Sequence, residues 1–201
     1  LINESDITFL CLPDAASIEA VSLVENDKVK IIDTSTAHRT LDGWAYGFAE
    51  LSGEHRRRIE TSNRIAVPGC YASGFNSIAY PLIKSGFIDN DYDIVCYALS
   101  GYTGAGKKGI AQYEDENRCS ELDSPRLYAL TQEHKHLKEM KAVSGLAKTP
   151  IFSPIICDYP QGMVVSIPLY TDRMTKKYTK QDIFEMFSEH YAGSDIVKVR
   201  P

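Results

Sequence analysis

The chain has 201 residues, 43% of them hydrophobic and 24% charged, and carries a net charge of −5. That length can bury a substantial core as one domain or two small ones. The composition is that of an ordinary globular protein, and the negative balance excludes a global attraction to nucleic acid or to an anionic membrane surface. No apolar segment has the length of a membrane span, and no signal peptide is evident. The five cysteines, Cys11, Cys70, Cys96, Cys119 and Cys157, are scattered and lack CxxC spacing. They suggest neither zinc nor a redox pair, and fit a reducing, cytoplasmic setting.

Ile7–Leu12 reads as a buried strand closed by Pro13. Asp14 is placed to cap a helix running to about Asn26, with Ile18, Val21 and Val24 on one side. Val29–Asp33 is the next strand, and strand–helix–strand alternation predicts a parallel sheet. Thr34–Gly53 is a polar, aromatic-rich loop, and a short basic helix over Glu54–Glu60 leads to a strand at Arg64–Val67. After Pro68-Gly69 a helix is expected from about Tyr71 to Ser85, kinked at Pro81. Tyr92–Leu99 is strand-like, Ser100–Gly106 is a Gly-rich turn, and Ile110–Arg118 and His134–Lys141 read as helical. Leu127–Thr131 is ambiguous. Pro150–Cys157 and Gly162–Tyr170 are strands, Thr179–Tyr191 is an amphipathic helix, and Asp195–Val199 starts another strand. The expected fold is therefore α/β plus α+β: residues 1–63 as the later part of a doubly wound unit, and residues 64–201 as a second domain with longer strands.

Cys70, in Val67-Pro68-Gly69-Cys70-Tyr71, stands where a strand turns into a helix N-terminus. Free backbone N–H groups and the helix dipole favour a thiolate there and offer an oxyanion site; the alternative is a small buried hydrophobe. His134 and His136 flank Lys135. A histidine suits a thiol as general acid or base partner; two surface histidines on a helix start fit the pattern as well. No carboxylate or cysteine stands at a convincing metal-ligand spacing, so no metal is assigned. Ser100 to Lys107 has the look of a phosphate loop, but Lys108 stands where GxxxxGK[ST] needs Ser or Thr. It reads either as a structural turn or as a loop that lets a ligand approach the backbone. Arg39 follows the end of a parallel strand, where α/β sheets bind ligands, and has the fork that fits phosphate or carboxylate.

Taken together, Phe9–Pro13, Ile32-Asp33 with Arg39, Trp44–Leu51, Val67–Tyr71, Ser100–Lys107 and His134-Lys135-His136 resemble the N-acetyl-γ-glutamyl-phosphate reductase family in order and spacing. Tyr128–Leu137 and Phe152–Tyr159 are similar to its second subtype. The resemblance implies an NADP(H)-binding Rossmann domain followed by a catalytic domain of the glyceraldehyde-phosphate-dehydrogenase type, in a homodimer or homotetramer. It implies Cys70 as the nucleophile that turns an acyl phosphate into a thioester, and His134 as the proton donor when the reduced intermediate collapses to aldehyde. It further implies Arg39, His136 and Glu50 at the substrate, and Ser100, Gly101, Gly104, Gly106 and Pro13 at the cofactor.

The family's first Gly-rich turn and its C-terminal segment have no counterpart here, and the chain opens at Leu1, so an interior piece of a longer protein is expected. By itself it is expected to bind NADPH weakly and to lack activity, since the pyrophosphate of a dinucleotide sits on that first turn. Related acyl phosphates, aminoadipyl or aspartyl, stay open as substrates, as does a Cys-His hydrolase or acyltransferase that forms the same thioester without hydride.

Overall fold

The computed structural model describes residues 1–201. A first sheet is wholly parallel, in the order β1 (Ile7–Leu10), β2 (Lys30–Asp33), β4 (Arg64–Ala66), β3 (Ala45–Tyr46). Helix α1 (Asp14–Ser22) crosses from β1 to β2, as the alternation predicts, but stops four residues short of Asn26. Helix α2 (Gly53–Thr61) leads into Arg64–Ala66, which, at the start of the expected second region, pairs with both β2 and β3 and so lies inside this first sheet. β1 is an edge strand on which Ile7 and Phe9 remain exposed.

The second sheet has the order β6 (Arg126–Leu127), β7 (Ile151–Cys157), β5 (Val95–Gly101), β8 (Met163–Ser166). β5 runs parallel to β7, while β8 and β6 are antiparallel to their neighbours. One face, with Cys96, Ala98, Phe152 and Val165, packs on α3 (Cys70–Lys84), α5 (Leu137–Ser144) and α6 (Lys180–His190) in a continuous core. α3 buries Tyr71, Ala72, Phe75, Ala79 and Leu82, the spacing of one helical stripe. On the opposite face, Val95, Tyr97, Ile151 and Val164 are exposed. The register aligns Val95 with Ile151, Leu99 with both Ile155 and Val164, and Tyr97 with Ser153 and Ser166, so this outer face carries apolar side chains on three strands with two serines flanking Tyr97.

Two differences from the sequence reading have local causes. α4 spans Gly106–Tyr113, beginning four residues earlier than Ile110, because Gly106 adopts a φ of +73° and turns the chain directly into the helix. Asp195–Val199 forms no strand. Its amides at Ile196 and Val197 bond instead to Oγ of Ser194, a local turn that competes with sheet pairing.

Beyond β2 the chain is fixed by Asp33, whose side chain is fully buried. Its oxygens accept hydrogen bonds from Ser17 Oγ (2.7 Å), Ser35 Oγ (2.6 Å) and the Ser35 amide (3.0 Å), and His38 Nδ1 lies 2.6 Å away. Burial opposes its ionisation, but the bonds from Ser35, His38 and Ser17 outweigh that and hold the carboxyl below its ordinary range. His38 also stacks on Trp44 at 4.1 Å. The loop that carries Arg39 is therefore anchored to β2 and α1 by side-chain bonds.

Candidate active site

β4 ends at Ala66, Pro68-Gly69 turns the chain, and Cys70 is the first residue of α3, with Gly69 as its N-cap in extended backbone. The thiol is exposed. It opens into a cleft of about 480 Å³ lined also by Tyr71, Ser100, Gly104, Ala105, Arg126, Tyr128, His134 and Lys135. Cys70 and His134, more than sixty residues apart in sequence, thus share one cavity.

His134 stands edge-on to the rings of Phe152 (centroids 5.2 Å apart) and Tyr71 (5.8 Å) and is tilted against Tyr128 (5.9 Å). The backbone N–H of His136 donates to Nδ1 of His134 at 3.1 Å. An accepting Nδ1 places the proton of the neutral ring on Nε2. Burial, and then the charge of Lys135, push the His134 pKa below its usual value. The ring therefore stands in the cleft as a neutral Nε2–H donor. On the same wall Tyr128 donates its hydroxyl to Tyr71 Oη at 2.9 Å, and Tyr71 Oη lies 2.6 Å from Ser100 Oγ. Burial raises the pKa of both tyrosines, so they remain protonated donors.

The expected cofactor residues divide. Ser100 and Gly104 line the cleft, and a Cβ on Gly104 would meet nothing within 4 Å, which leaves open space beside Cys70. Gly101 and Gly106 shape the turn from behind: a Cβ at 101 would fall 2.6 Å from the Tyr159 carbonyl oxygen. Pro13 lies apart, exposed as the N-cap of α1.

The expected substrate residues are not brought to the cleft. Arg39 donates Nε to the Val67 carbonyl (2.8 Å), Nη2 to that of Thr34 (3.0 Å) and Nη1 to Glu139 (3.1 Å), and its side chain is 8% exposed. These commitments leave it a strut beneath the turn at Cys70, not a free phosphate fork. His136 is 5% exposed and sits behind Gly69, where a Cβ would collide with its Nε2. Burial first, and then His134, Arg39 and Lys135, push its pKa down to about 3, so it stays neutral. Glu50 lines a different cavity, with Arg56, His190 and Tyr191.

Two cations that sequence reasoning did not single out line the cleft, as Arg39 does not: Arg126 and Lys135. Arg126 donates Nη2 to Tyr113 Oη at 3.1 Å and lies 5.5 Å from that ring's centroid, while its Nε is buried without a partner. An unpartnered buried guanidinium N–H is costly unless an acceptor arrives. Arg126 begins a two-residue strand, too short to leave a periodic signal.

Residues 70–201 match the family described as semialdehyde dehydrogenase, dimerisation domain. Over its whole length the chain is 46% identical to a protein of Sinorhizobium fredii and 45% identical to one of Brucella abortus, both named N-acetyl-gamma-glutamyl-phosphate reductase. It spans 66% and 65% of those relatives' lengths. Among solved structures, aspartate semialdehyde dehydrogenase II from Vibrio cholerae aligns with a TM-score of 0.65 at 14% identity, over 94% of this chain and 62% of that one. The Candida albicans aspartate semialdehyde dehydrogenase with NADP gives 0.60 at 13% identity, over 91% of this chain and 55% of its own. These structural likenesses speak for the fold, a parallel sheet followed by a mixed sheet covered by helices on one side. With its matched span running from Cys70 to the last residue, the chain belongs to the semialdehyde dehydrogenase dimerisation-domain family.

Proposed function

We propose that the protein to which this chain belongs reduces N-acetyl-γ-glutamyl phosphate to N-acetylglutamate semialdehyde, a step of arginine biosynthesis, through a thioester on Cys70. The observation that carries the reading is the shared cleft, with Cys70 at a helix N-terminus and His134 facing the same space. Identity of 46% and 45%, over the whole of this chain and about two thirds of each relative, to proteins of that name supports it.

In this mechanism the Cys70 thiolate attacks the acyl carbon, a C–S bond forms, the C–O bond to phosphate breaks, and phosphate departs. A nicotinamide cofactor, NADPH in this proposal, supplies the hydride that reduces the acyl group when bound. Ser100 and the open space at Gly104 fit its approach to Cys70. His134 donates its Nε2–H to the oxygen that gains charge as the acyl carbon becomes tetrahedral, which stabilises that charge in a site of low dielectric. Collapse then re-forms the carbonyl, breaks the C–S bond and returns the thiolate, again beside Nε2–H. Arg126 and Lys135 hold the anionic ends of the substrate, its phosphate and its carboxylate. The rings of Tyr71 and Tyr128, which line the cleft, keep water from the thioester.

The apolar outer face of the second sheet is the surface on which two such chains associate. Val95, Tyr97, Leu99, Ile151, Ile155 and Val164, interrupted only by Ser153 and Ser166, make a largely apolar patch of the kind that subunit interfaces bury. All five cysteines are free, which fits the reducing cytoplasm expected for such an enzyme.

Phosphate-dependent reduction of NADP by the full-length protein with N-acetylglutamate semialdehyde tests the reading. Turnover with that aldehyde above the aminoadipate and aspartate semialdehydes is expected. A preference for either of the others would reassign the substrate, and ester hydrolysis without NADP turnover would replace the reductase with a Cys-His hydrolase.

A further inference from the structure

Glu139 takes no part in the chemistry above, yet its carboxylate is 2% exposed and fully engaged. Oε1 accepts the Tyr46 hydroxyl at 2.6 Å and the Gly69 amide at 2.8 Å, and Oε2 accepts Nη1 of Arg39 at 3.1 Å. Asn76 Nδ2 reaches Tyr46 Oη at 3.4 Å, which extends the cluster into α3. The donors come from β3, from the loop beyond β2, and from the turn that begins α3. Glu139 itself lies on α5, one helical turn after His136. A buried ion pair is weak as a source of stability, and an apolar replacement of similar volume is often as stable. What this carboxylate does supply is direction, since each bond fixes a group whose placement matters at the cleft. Gly69 immediately precedes Cys70 and is its helix N-cap. Arg39 anchors the Val67 carbonyl on the other side of the same turn. The helix that holds Glu139 opens directly from the segment carrying His134.

We infer that Glu139 is a positioning residue, a buried clamp that joins the Cys70 turn to the histidine segment and so sets the thiol against Nε2 of His134. The inference rests on the reading of Cys70 and His134 as the reacting pair.

Geometry and charge act in opposite directions here, which makes the clamp testable without turnover. Glu139→Gln removes a negative charge near Cys70 and leaves Arg39 unpaired. Both changes favour a thiolate, so charge alone would speed alkylation of Cys70. Loss of placement would slow it, because the thiolate loses its Nε2–H donor. The measurement is iodoacetamide alkylation across the neutral and alkaline range, resolved by mass spectrometry. Cys11 and Cys119, also exposed, serve as internal controls, and the buried Cys96 and Cys157 report the integrity of the fold. In Glu139→Gln we expect Cys70 to react roughly tenfold more slowly at neutral pH, with its profile displaced to the alkaline side and the controls unchanged. If Cys96 and Cys157 become reactive, the fold has been lost. Glu139→Asp then decides: it keeps the charge but is a methylene too short to reach both Arg39 and Gly69. Charge alone predicts no change in Glu139→Asp, whereas the clamp predicts slowing. Unchanged or faster alkylation of Cys70 in the folded variants overturns the inference. Should Cys70 of the unsubstituted protein react no differently from Cys119, the reading of Cys70 as nucleophile fails, and the clamp falls with it.

Discussion

The hydroxyl of Tyr191 donates to the carbonyl of Ser77 at 2.7 Å, and that carbonyl is the one Pro81 leaves without a helical partner. Proline has no N–H, so within α3 the oxygen four residues before it is orphaned. A tyrosine just beyond α6 supplies the missing donor, and burial keeps its hydroxyl protonated. The helix that begins with Cys70 therefore tolerates an interior proline because a distant part of the chain repairs it. Tyr191→Phe removes the donor and little volume. It should lower stability by about 1–3 kcal/mol, the cost of a buried carbonyl left unsatisfied. Urea midpoints compared at constant slope would measure this, and no loss would mean that water fills the gap.

Cys70→Ala should abolish turnover and leave the unfolding midpoint within about 0.5 kcal/mol of the parent, since the thiol is exposed and bonds to nothing. Intact-mass analysis with the acyl phosphate and no reductant should find one acyl adduct, at Cys70. An adduct at Cys11 or Cys119 would reassign the nucleophile.

His134→Asn should reduce kcat by about 10²–10⁴, the range for a lost proton-transfer or oxyanion donor. His136→Asn acts differently, because His136 lies behind the turn and not in the cleft. Its effect should fall chiefly on stability and on Cys70 alkylation. Comparable losses of kcat with unchanged stability in both variants would overturn that division.

Arg126→Lys replaces a planar fork with a point charge and should raise KM for substrate or phosphate by roughly ten- to a hundredfold, the scale of one lost charged hydrogen bond. Arg39→Lys should instead lower stability, because three backbone and side-chain acceptors lose their donors. Steady-state kinetics beside thermal melts separates the two, and the reverse pattern would restore Arg39 to the phosphate.

Stability should also depend on pH through His136. Its folded pKa is depressed to about 3 by burial, whereas an unfolded histidine titrates near 6.5. Between those values the unfolded chain holds the extra proton, so stability rises with pH. The contribution is complete above about 6.5 and is lost as pH falls toward 3, at up to about 1.4 kcal/mol per pH unit. His134 adds in the same direction. The slope of unfolding free energy against pH in that window should flatten in His136→Asn, and an unchanged slope would assign the dependence to other groups.

Much of this architecture was legible along the chain. Cys70 announced itself because a strand, a Pro-Gly turn and a helix start are all local signals. His134 was reachable through its motif, and the alternation of β1, α1 and β2 through its periodicity. What escaped the reading depends on partners remote in sequence. Arg39 looks like a free ligand fork until Glu139, a hundred residues away, is placed against it. Glu139 itself reads as an ordinary helical glutamate on a mixed helix, with nothing nearby to say that its face is the buried one. Arg126 sits in a strand of two residues, and nothing local to Pro81 says that Tyr191 meets the carbonyl it orphans. The last expected strand failed for the opposite reason, since a local serine turn offered its amides a nearer acceptor.

The bond from the His136 amide to Nδ1 of His134 is made by backbone, and so needs no side chain but that of His134 itself. It fixes where the cleft keeps its spare proton. A second proton would have to enter at Nδ1, against an N–H already pointing there and in a buried ring whose pKa is already depressed. The imidazole therefore carries one proton, at one atom, throughout the neutral range. A rate that inflects near neutrality would then not report this histidine.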